Sequence, residues 1–368
     1  MRKLFILFFA VVITACSVED TELCPTYSIE NTEEVQDLHS FVQDVDFLPL
    51  CDSLPFGMVL KAMFTEDRGL LILDSEEQIL LFSNNYTQVC FPILRGRASN
   101  EYLSATDIAL RGDELIILDG STIHCHSLSD RNRNYSYQLS LRVPGDAIAP
   151  MGNSGVYVFS AYSNNFNDNK KKKDNLLYGV NSRGEVINEY LRREDCTFTL
   201  FNISQSNGAY YLRPQNNRNV FYSLEEKGIE PKLKIDFCKS NIPERYYYNV
   251  AREDIGKYMN SPYYKLPLDL SKTDKLYYLH TAGPNANDIA LLFNIESKRG
   301  IRWTNLPADG DMRILTSDST HFILIYTPDI DDTGDLEHGP LFNILKYYSD
   351  SLNLEKGKSY LAKILIDV

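Results

Sequence analysis

Residues 69–74 (GLLILD) with 79–82 (ILLF), and residues 114–119 (ELIILD) with 122–126 (TIHCH), are two copies of one pattern. In each copy an apolar run ends at an aspartate, Asp74 or Asp119, and a short polar turn leads into a second run. The two aspartates stand 45 residues apart. Apolar runs without alternation suit strands buried on both faces. Weaker echoes stand at 156–159 (VYVF), 209–212 (AYYL) and 321–326 (HFILIY). A period of about 40–50 residues built from several short strands is the signature of propeller blades. Six blades of four strands over about 330 residues leave about 55 per blade, enough for strands of five or six residues and their loops. The expected fold is all-β: a six-bladed β-propeller over residues 37–368, with short helical insertions.

The outermost runs of that region are 41–50 (FVQDVDFLPL) and 359–367 (SYLAKILID). Pairing the two in one blade closes the ring and hides two sheet edges that would otherwise invite aggregation. Closure by the N- and C-terminal strands is therefore expected.

Upstream of the repeats the chain changes character. Arg2 and Lys3 precede ten apolar residues, 4–13 (LFILFFAVVI), and then Thr14, Ala15 and Cys16. A basic start, a short apolar run and small residues make a secretory signal peptide. The run is too short for a membrane-crossing helix of about twenty residues. Residues 13–16 resemble the lipobox of bacterial lipoproteins. That resemblance implies cleavage after Ala15 and acylation of Cys16, although a plain cleavable signal also fits. Glu19 and Asp20 resemble a surface-export signal of some Gram-negative bacteria. The expected organisation is a signal peptide at 1–15, a lipidated flexible tether at 16–36, and the propeller. The expected address is the cell envelope, as an outer-membrane lipoprotein, with the acidic residues pointing to the cell surface.

The formal charge of −13 becomes −15 once Arg2 and Lys3 are removed. Such a chain is repelled by phosphate backbones, so no nucleic-acid partner is expected, and membrane contact is expected through the lipid anchor only. Beyond Cys16 there are six cysteines, evenly spread and without a CxxC pair. Fifteen disulfide pairings are open to six cysteines, and isolated buried thiols are the favoured reading.

Two segments carry a family resemblance. Residues 38–50 (LHSFVQDVDFLPL) match the opening strand of exported six-bladed β-propeller lipoproteins, which are similar in shape to NHL-repeat propellers. Residues 95–102 (RGRASNEY) match their G-R-G-P-G-E-Y loop at Gly96, Arg97, Glu101 and Tyr102, with Ala98, Ser99 and Asn100 standing in for Gly, Pro and Gly. The resemblance implies the fold more firmly than any activity.

Strand parity then locates function. If strands a to d run outwards from the axis, the b–c turns and the d-to-a crossings share one face. Residues 74–78 and 119–121 read as b–c turns, and 95–102 as a crossing. Residues 160–174 and 327–358 read as long b–c loops, and 241–272 as a long crossing. Blade five, near 275–306, is hard to phase. Long loops gathered at one mouth are where scaffold folds usually bind. The candidate binding face is Asp74, Arg95, Arg97, Glu101, Tyr102 and Asp119.

Other motifs are read as ordinary surface or packing. Asp329, Asp331, Asp332 and Asp335 half-match a calcium loop, but Pro340 stands where an EF-hand needs its twelfth-position Glu. His124 and His126 share one face of a strand without a local third ligand. The four lysines at 170–173 read as a solvated loop. The tyrosines at 246–248 and 263–264 suit ligand stacking and packing equally, and residues 341–351 (LFNILKYYSDS) suggest a short amphipathic helix. No catalytic motif, metal or cofactor is expected. The leading reading is a non-catalytic propeller that binds a protein, peptide or glycan. The alternatives are a propeller hydrolase or lyase with a metal in the channel, and an envelope scaffold resembling the TolB propeller. A channel plugged by apolar side chains favours binding, and three or more converging Asp, Glu, His or Asn side chains at one end favour the enzyme.

Overall fold

A computed structural model describes residues 24–65, 69–98, 101–130, 133–141, 145–153, 155–160, 175–192, 203–212, 219–243, 255–305, 314–328 and 338–368. The described strands form six sheets, each built on an antiparallel meander of four strands, a to d. Blade 1 is Val59–Thr65, Gly69–Asp74, Ile79–Phe82 and Val89–Cys90, and blade 2 is Asp107–Arg111, Glu114–Asp119, Thr122–Ser127 and Asn134–Gln138. Blade 3 is Ala147–Met151, Gly155–Phe159, Asn175–Val180 and Val186–Arg192, and blade 4 is Ile203–Ser206, Ala209–Leu212, Val220–Glu225 and Gly228–Asp236. Blade 5 is Lys265–Lys272, Leu276–Ala282, Asp288–Asn294 and Gly300–Asn305. The b strands of blades 1 and 3 are buried along their whole length because a neighbouring blade covers each face.

Blade 6 takes Thr316–Ser317, Phe322–Tyr326 and Tyr360–Ile366 from the end of the chain, and its outer strand Val42–Pro49 from the beginning. Ile364 lies opposite Val45 and Ala362 opposite Phe47 in the antiparallel ladder. The expected closure is what the fold shows, and Pro49 sits at the strand end, where a missing N–H costs least.

Upstream of Val42 the structure corrects the expected tether. Thr26–Ser28 pairs in parallel with the outer strand of blade 4, and Thr32–Glu34 with that of blade 5. The arm also fills three apolar clusters in turn, with Cys24 in one, Tyr27 and Ile29 in the next, and Val35 and Leu38 in the third. Arg302 of blade 5 holds the arm in place. Its Nη1 donates to the Thr32 carbonyl at 2.9 Å and to Thr32 Oγ1 at 2.8 Å. From Cys24 onwards the expected tether is thus part of the ring. Its sparse apolar anchors, spread among polar residues, carry no strand periodicity.

The expected crossing at 241–272 is also too long, since Lys265–Lys272 is the inner strand of blade 5. The ladder shifts register on both sides of Pro267, which cannot donate to it. The expected helix is present as Pro340–Leu352, with proline in its first turn and Asn353 closing it in the left-handed region. Its buried face, Leu341, Phe342, Ile344 and Leu345, packs against the outer strands of blades 5 and 6. The described cysteines are free: Cys24 and Cys125 are buried, Cys51 and Cys238 partly so, and Cys90 is exposed.

Candidate functional site

The two faces of the ring are built differently. The a–b and c–d connections run two to six residues, as at 112–113 and 226–227. The b–c and d-to-a connections reach 28 residues at 237–264 and 33 at 327–359. The parity read from the sequence therefore places the long connections on one face, and phasing blade 5 adds its crossing to them.

On that face the expected residues come together, but mostly to bind one another. Asp74 is fully buried. Its Oδ1 accepts from the Glu76 and Gln78 N–H groups at 3.0 and 2.8 Å, and its Oδ2 from the Gly57 N–H at 2.8 Å. Arg95 donates to the carbonyls of Leu103 and Glu76, at 2.8 and 3.1 Å, and to Glu77 Oε2 at 2.7 Å. Buried Tyr102 donates to the Glu77 carbonyl at 3.0 Å. Asp119 Oδ2 accepts from the Leu103 N–H at 2.7 Å. Glu101 Oε2 accepts from the Ala98 N–H at 2.8 Å, in space that a Cβ on Gly96 would invade. These contacts clamp the turn of blade 1, the crossing and the turn of blade 2 into one unit. Arg97 stands exposed beside them.

Blade 5 supplies a polar cluster that the sequence did not reveal. His280 Nε2 pairs with Asp288 Oδ1. Asn305 Nδ2 lies 3.5 Å from Asp288 Oδ2, and Trp303 Nε1 donates to Asn305 Oδ1 at 3.0 Å. The four residues come from strands b, c and d at their long-loop ends. The Asp288 side chain is 45 % exposed, which makes it the accessible end of the chain of contacts. Nearby, fully buried Lys265 donates to the carbonyls of Ser261 and Gly283, both at 3.0 Å, and burial brings its ammonium down to about 8. That lysine fixes the end of the long crossing to the blade 5 turn. Asparagine and aspartate separated by seventeen positions form no motif, so only the folded blade joins them.

At the opposite, short-turn end, side chains join several blades. Tyr210 of blade 4 reaches across the axis to Leu110 of blade 2 and lies 3.8 Å from Met63 Sδ of blade 1. Ser206 and Ser317 share a hydrogen bond of 2.6 Å, and both hydroxyls reach the Lys272 carbonyl, which joins blades 4, 5 and 6. At the long-loop end, Lys61 Nζ sits 2.9 Å from both oxygens of buried Asp107, and Asp107 Oδ2 also accepts from the Ile148 N–H at 2.8 Å. Burial raises the Asp107 carboxyl, against the pull of Lys61. The pair joins the inner strands of blades 1 and 2, and the Ile148 contact adds blade 3.

The remaining expectations fall as follows. His124 and His126 stack at 6.1 Å, with His124 3.5 Å from Asp119. Among the described residues no three His, Cys, Asp or Glu side chains are grouped to hold a metal. Tyr264 packs flat on Phe237 at 4.4 Å and is buried, so it is not a stacking platform. Cys16, the lysines at 170–173, the tyrosines at 246–248 and the acidic loop from Asp329 to Asp335 lie outside the described residues.

Comparison with known proteins bears on the fold. A family model, DUF5128, described as a 6-bladed beta-propeller, matches residues 19–302. The crystal structure of a candidate exported protein from Bacteroides fragilis NCTC 9343 is 14 % identical, covers 93 % of this chain and 99 % of its own, and superposes with a TM-score of 0.70. At that identity the likeness is one of fold. A protein of unknown function from Bacteroides thetaiotaomicron VPI-5482 is 9 % identical, over 91 % of this chain and 75 % of its own, with a TM-score of 0.44. No curated protein matches the sequence.

Proposed function

The chain belongs to the DUF5128 family of 6-bladed beta-propellers, and we propose that it is a lipid-anchored envelope protein that binds a protein, peptide or glycan partner through its long-loop face. The observation that carries this reading is the asymmetry of the ring. One face carries only short turns, beside which Tyr210 ties blade 4 to blade 2, while the other gathers the long connections around exposed Arg97 and half-exposed Asp288. Rigid scaffolds commonly bind through loops held this way.

The leader at 1–15 and Cys16 supply the address, and the fold relative from Bacteroides fragilis is described as a candidate exported protein, which agrees with it. Seven residues, 17–23, separate Cys16 from Cys24 at the rim of blade 4. At about 3.5 Å per residue the anchor lies within about 28 Å of that rim. The ring is then held close to the bilayer rather than on a long leash.

Three experiments test the reading. Metabolic labelling with palmitate should mark the native chain and not Cys16→Ala, and protease shaving of intact cells should remove the native chain; an unlabelled native chain contradicts the anchor, and protection from protease contradicts exposure at the surface. Co-purification from cells tests binding. Arg97→Glu should lose a partner that the native chain retains, while Lys275→Glu, in an exposed a–b turn on the other face, should keep it. Loss from Lys275→Glu alone overturns the assignment of the face.

A further inference from the structure

Eight large apolar side chains stand exposed among the described residues. Four of them, Met58, Leu60, Leu94 and Leu103, belong to the long-loop end of blade 1 and to the crossing that leaves it. The others lie on the outer strands of blades 2 and 3 and on the helix Pro340–Leu352. Leu94 and Leu103 are the most exposed of the four, at 61 % and 55 %. One turn gathers the group. The Met58 N–H donates to Ser75 Oγ at 3.1 Å, and the Met58 carbonyl accepts from the Ser75 N–H at 2.8 Å. Arg95 is tied to the next two residues of that turn, Glu76 and Glu77, and to the Leu103 carbonyl. Arg95 and Tyr102 also form a parallel bridge, which Leu94 and Leu103 flank. Leu60 is the extra residue of a β-bulge, because the ladder with Gly69–Asp74 passes from Val59 to Lys61, and a bulge re-aims the side chain it carries. Single exposed apolar residues are ordinary, whereas a gathered set marks an interaction surface.

We propose that this aliphatic patch docks a protein segment that presents apolar side chains beside an Asp or Glu carboxylate; the proposal rests on the long-loop face being the binding face and names the class of its partner. Three features set that class. First, the exposed groups are aliphatic, and the polar side chains beside them are committed to one another. Asp74, Glu77, Tyr102 and Asp119 hold the turns and the crossing together. A glycan would press hydroxyls onto leucine and methionine side chains that offer no hydrogen bond, and each hydroxyl so buried costs free energy. Apolar side chains of a protein segment meet no such cost and gain by leaving water. Second, the patch carries an uncommitted positive charge. Arg95 is matched by Glu77, but exposed Arg97, two residues on, enters none of the ion pairs among the described residues. Its guanidinium fits a carboxylate in two-pronged fashion. Third, methionine and arginine are the residue types enriched at protein–protein interfaces. The chain's strong negative charge meanwhile disfavours a second copy of itself or an anionic membrane as the occupant.

The test pans a library of random dodecamer peptides on phage against the full mature chain, beside an array of immobilised glycans. Peptides should be selected, and the strongest should combine Leu, Ile, Val, Met or Phe with at least one Asp or Glu. Once synthesised, the strongest peptide should bind at least tenfold more weakly to the double variant Leu94→Ser, Leu103→Ser, and unchanged to Lys275→Glu. Both leucines are exposed, so the double variant should melt like the native chain. Arg97→Glu should also weaken binding about tenfold, and replacing the peptide's acidic residue with Lys should restore it. The proposal is overturned if no peptide is selected, if the double variant binds as well as the native chain, or if Arg97→Glu changes nothing. Glycans held by the native chain and lost from Arg97→Glu would keep the long-loop face and overturn a protein segment as its occupant. Self-association, or sedimentation with vesicles of anionic phospholipid, would do the same if the double variant abolishes it. Binding lost from Lys275→Glu and not from Arg97→Glu would overturn the face itself.

Discussion

Tyr210 of blade 4 and Leu110 of blade 2 are joined across the propeller axis by two hydrogen bonds. The Tyr210 hydroxyl accepts from the Leu110 N–H at 2.7 Å and donates to the Leu110 carbonyl at 2.8 Å. The inner strand of blade 2 has no further strand on its axial side, so its Leu110 backbone groups need partners from elsewhere. One phenol from a blade two places away satisfies both. Burial pushes that phenol far above its ordinary range, so it stays neutral and able to donate.

Tyr210→Phe should therefore cost more than a surface change. It leaves the buried Leu110 groups unsatisfied at roughly 1–3 kcal/mol, and Tyr210→Ala adds a cavity for a total of roughly 3–5 kcal/mol. Chemical denaturation of the two variants reads this directly. A Tyr210→Phe protein as stable as the native chain would show that the contact across the axis contributes nothing.

Histidine 126 makes stability depend on pH. Burial first, and then the neighbouring His124, hold its imidazole down to about 4. As the pH falls below about 6.5, the unfolded chain takes up a proton that folded His126 refuses. Stability should decline from about pH 6.5 to about pH 4 and level off below that. The contribution of this residue is on the order of 2–3 kcal/mol. Urea melts at pH 7, 5.5 and 4 should show His126→Leu losing less stability over that interval than the native chain. Equal losses would remove His126 as the cause.

Ring closure and the N-terminal arm are separable by truncation. Deleting residues 361–368 removes the partner of Val42–Pro49 and opens blade 6. That protein should melt well below the native chain or fail to fold. Starting the chain at residue 37 keeps closure but removes Tyr27, Ile29 and Val35 from their clusters. At roughly 1.5–3 kcal/mol for each buried side chain, the loss should be about 5 kcal/mol. The bared edges of blades 4 and 5 should also promote association, visible by light scattering. A truncation from residue 37 that melts like the native chain would mean that the arm is a tether after all.

Particular residues show how far the sequence could be read. GLLILD and ELIILD stood out because a b strand covered on both faces needs no polar alternation. Their aspartates then fixed strand parity, and parity fixed the loop-bearing face. The last strand was legible for the same reason, and the first, an outer strand with Gln43 and Asp44 exposed, through its match to the opening strand of the family it resembles. Lys265–Lys272 was missed because Pro267 and its charged neighbours contradict the apolar strand pattern. The arm was missed because three-residue parallel strands such as Thr26–Ser28 are polar and leave only single anchors such as Tyr27. The candidate face was legible only as a set of neighbours. Asp74, Arg95, Tyr102 and Asp119 were found as a group, but sequence cannot tell a side chain that meets a ligand from one that ties two turns together. His280, Asp288 and Asn305 were invisible because strand pairing, not spacing along the chain, brings them into one place.

The most direct test of a partner-binding long-loop face is photo-crosslinking in living cells, with a photoreactive amino acid placed at Arg97 or at Lys275 of the full chain. The account predicts covalent complexes with a defined partner from position 97 and none from position 275. Complexes formed from position 275 while position 97 stays silent would contradict it.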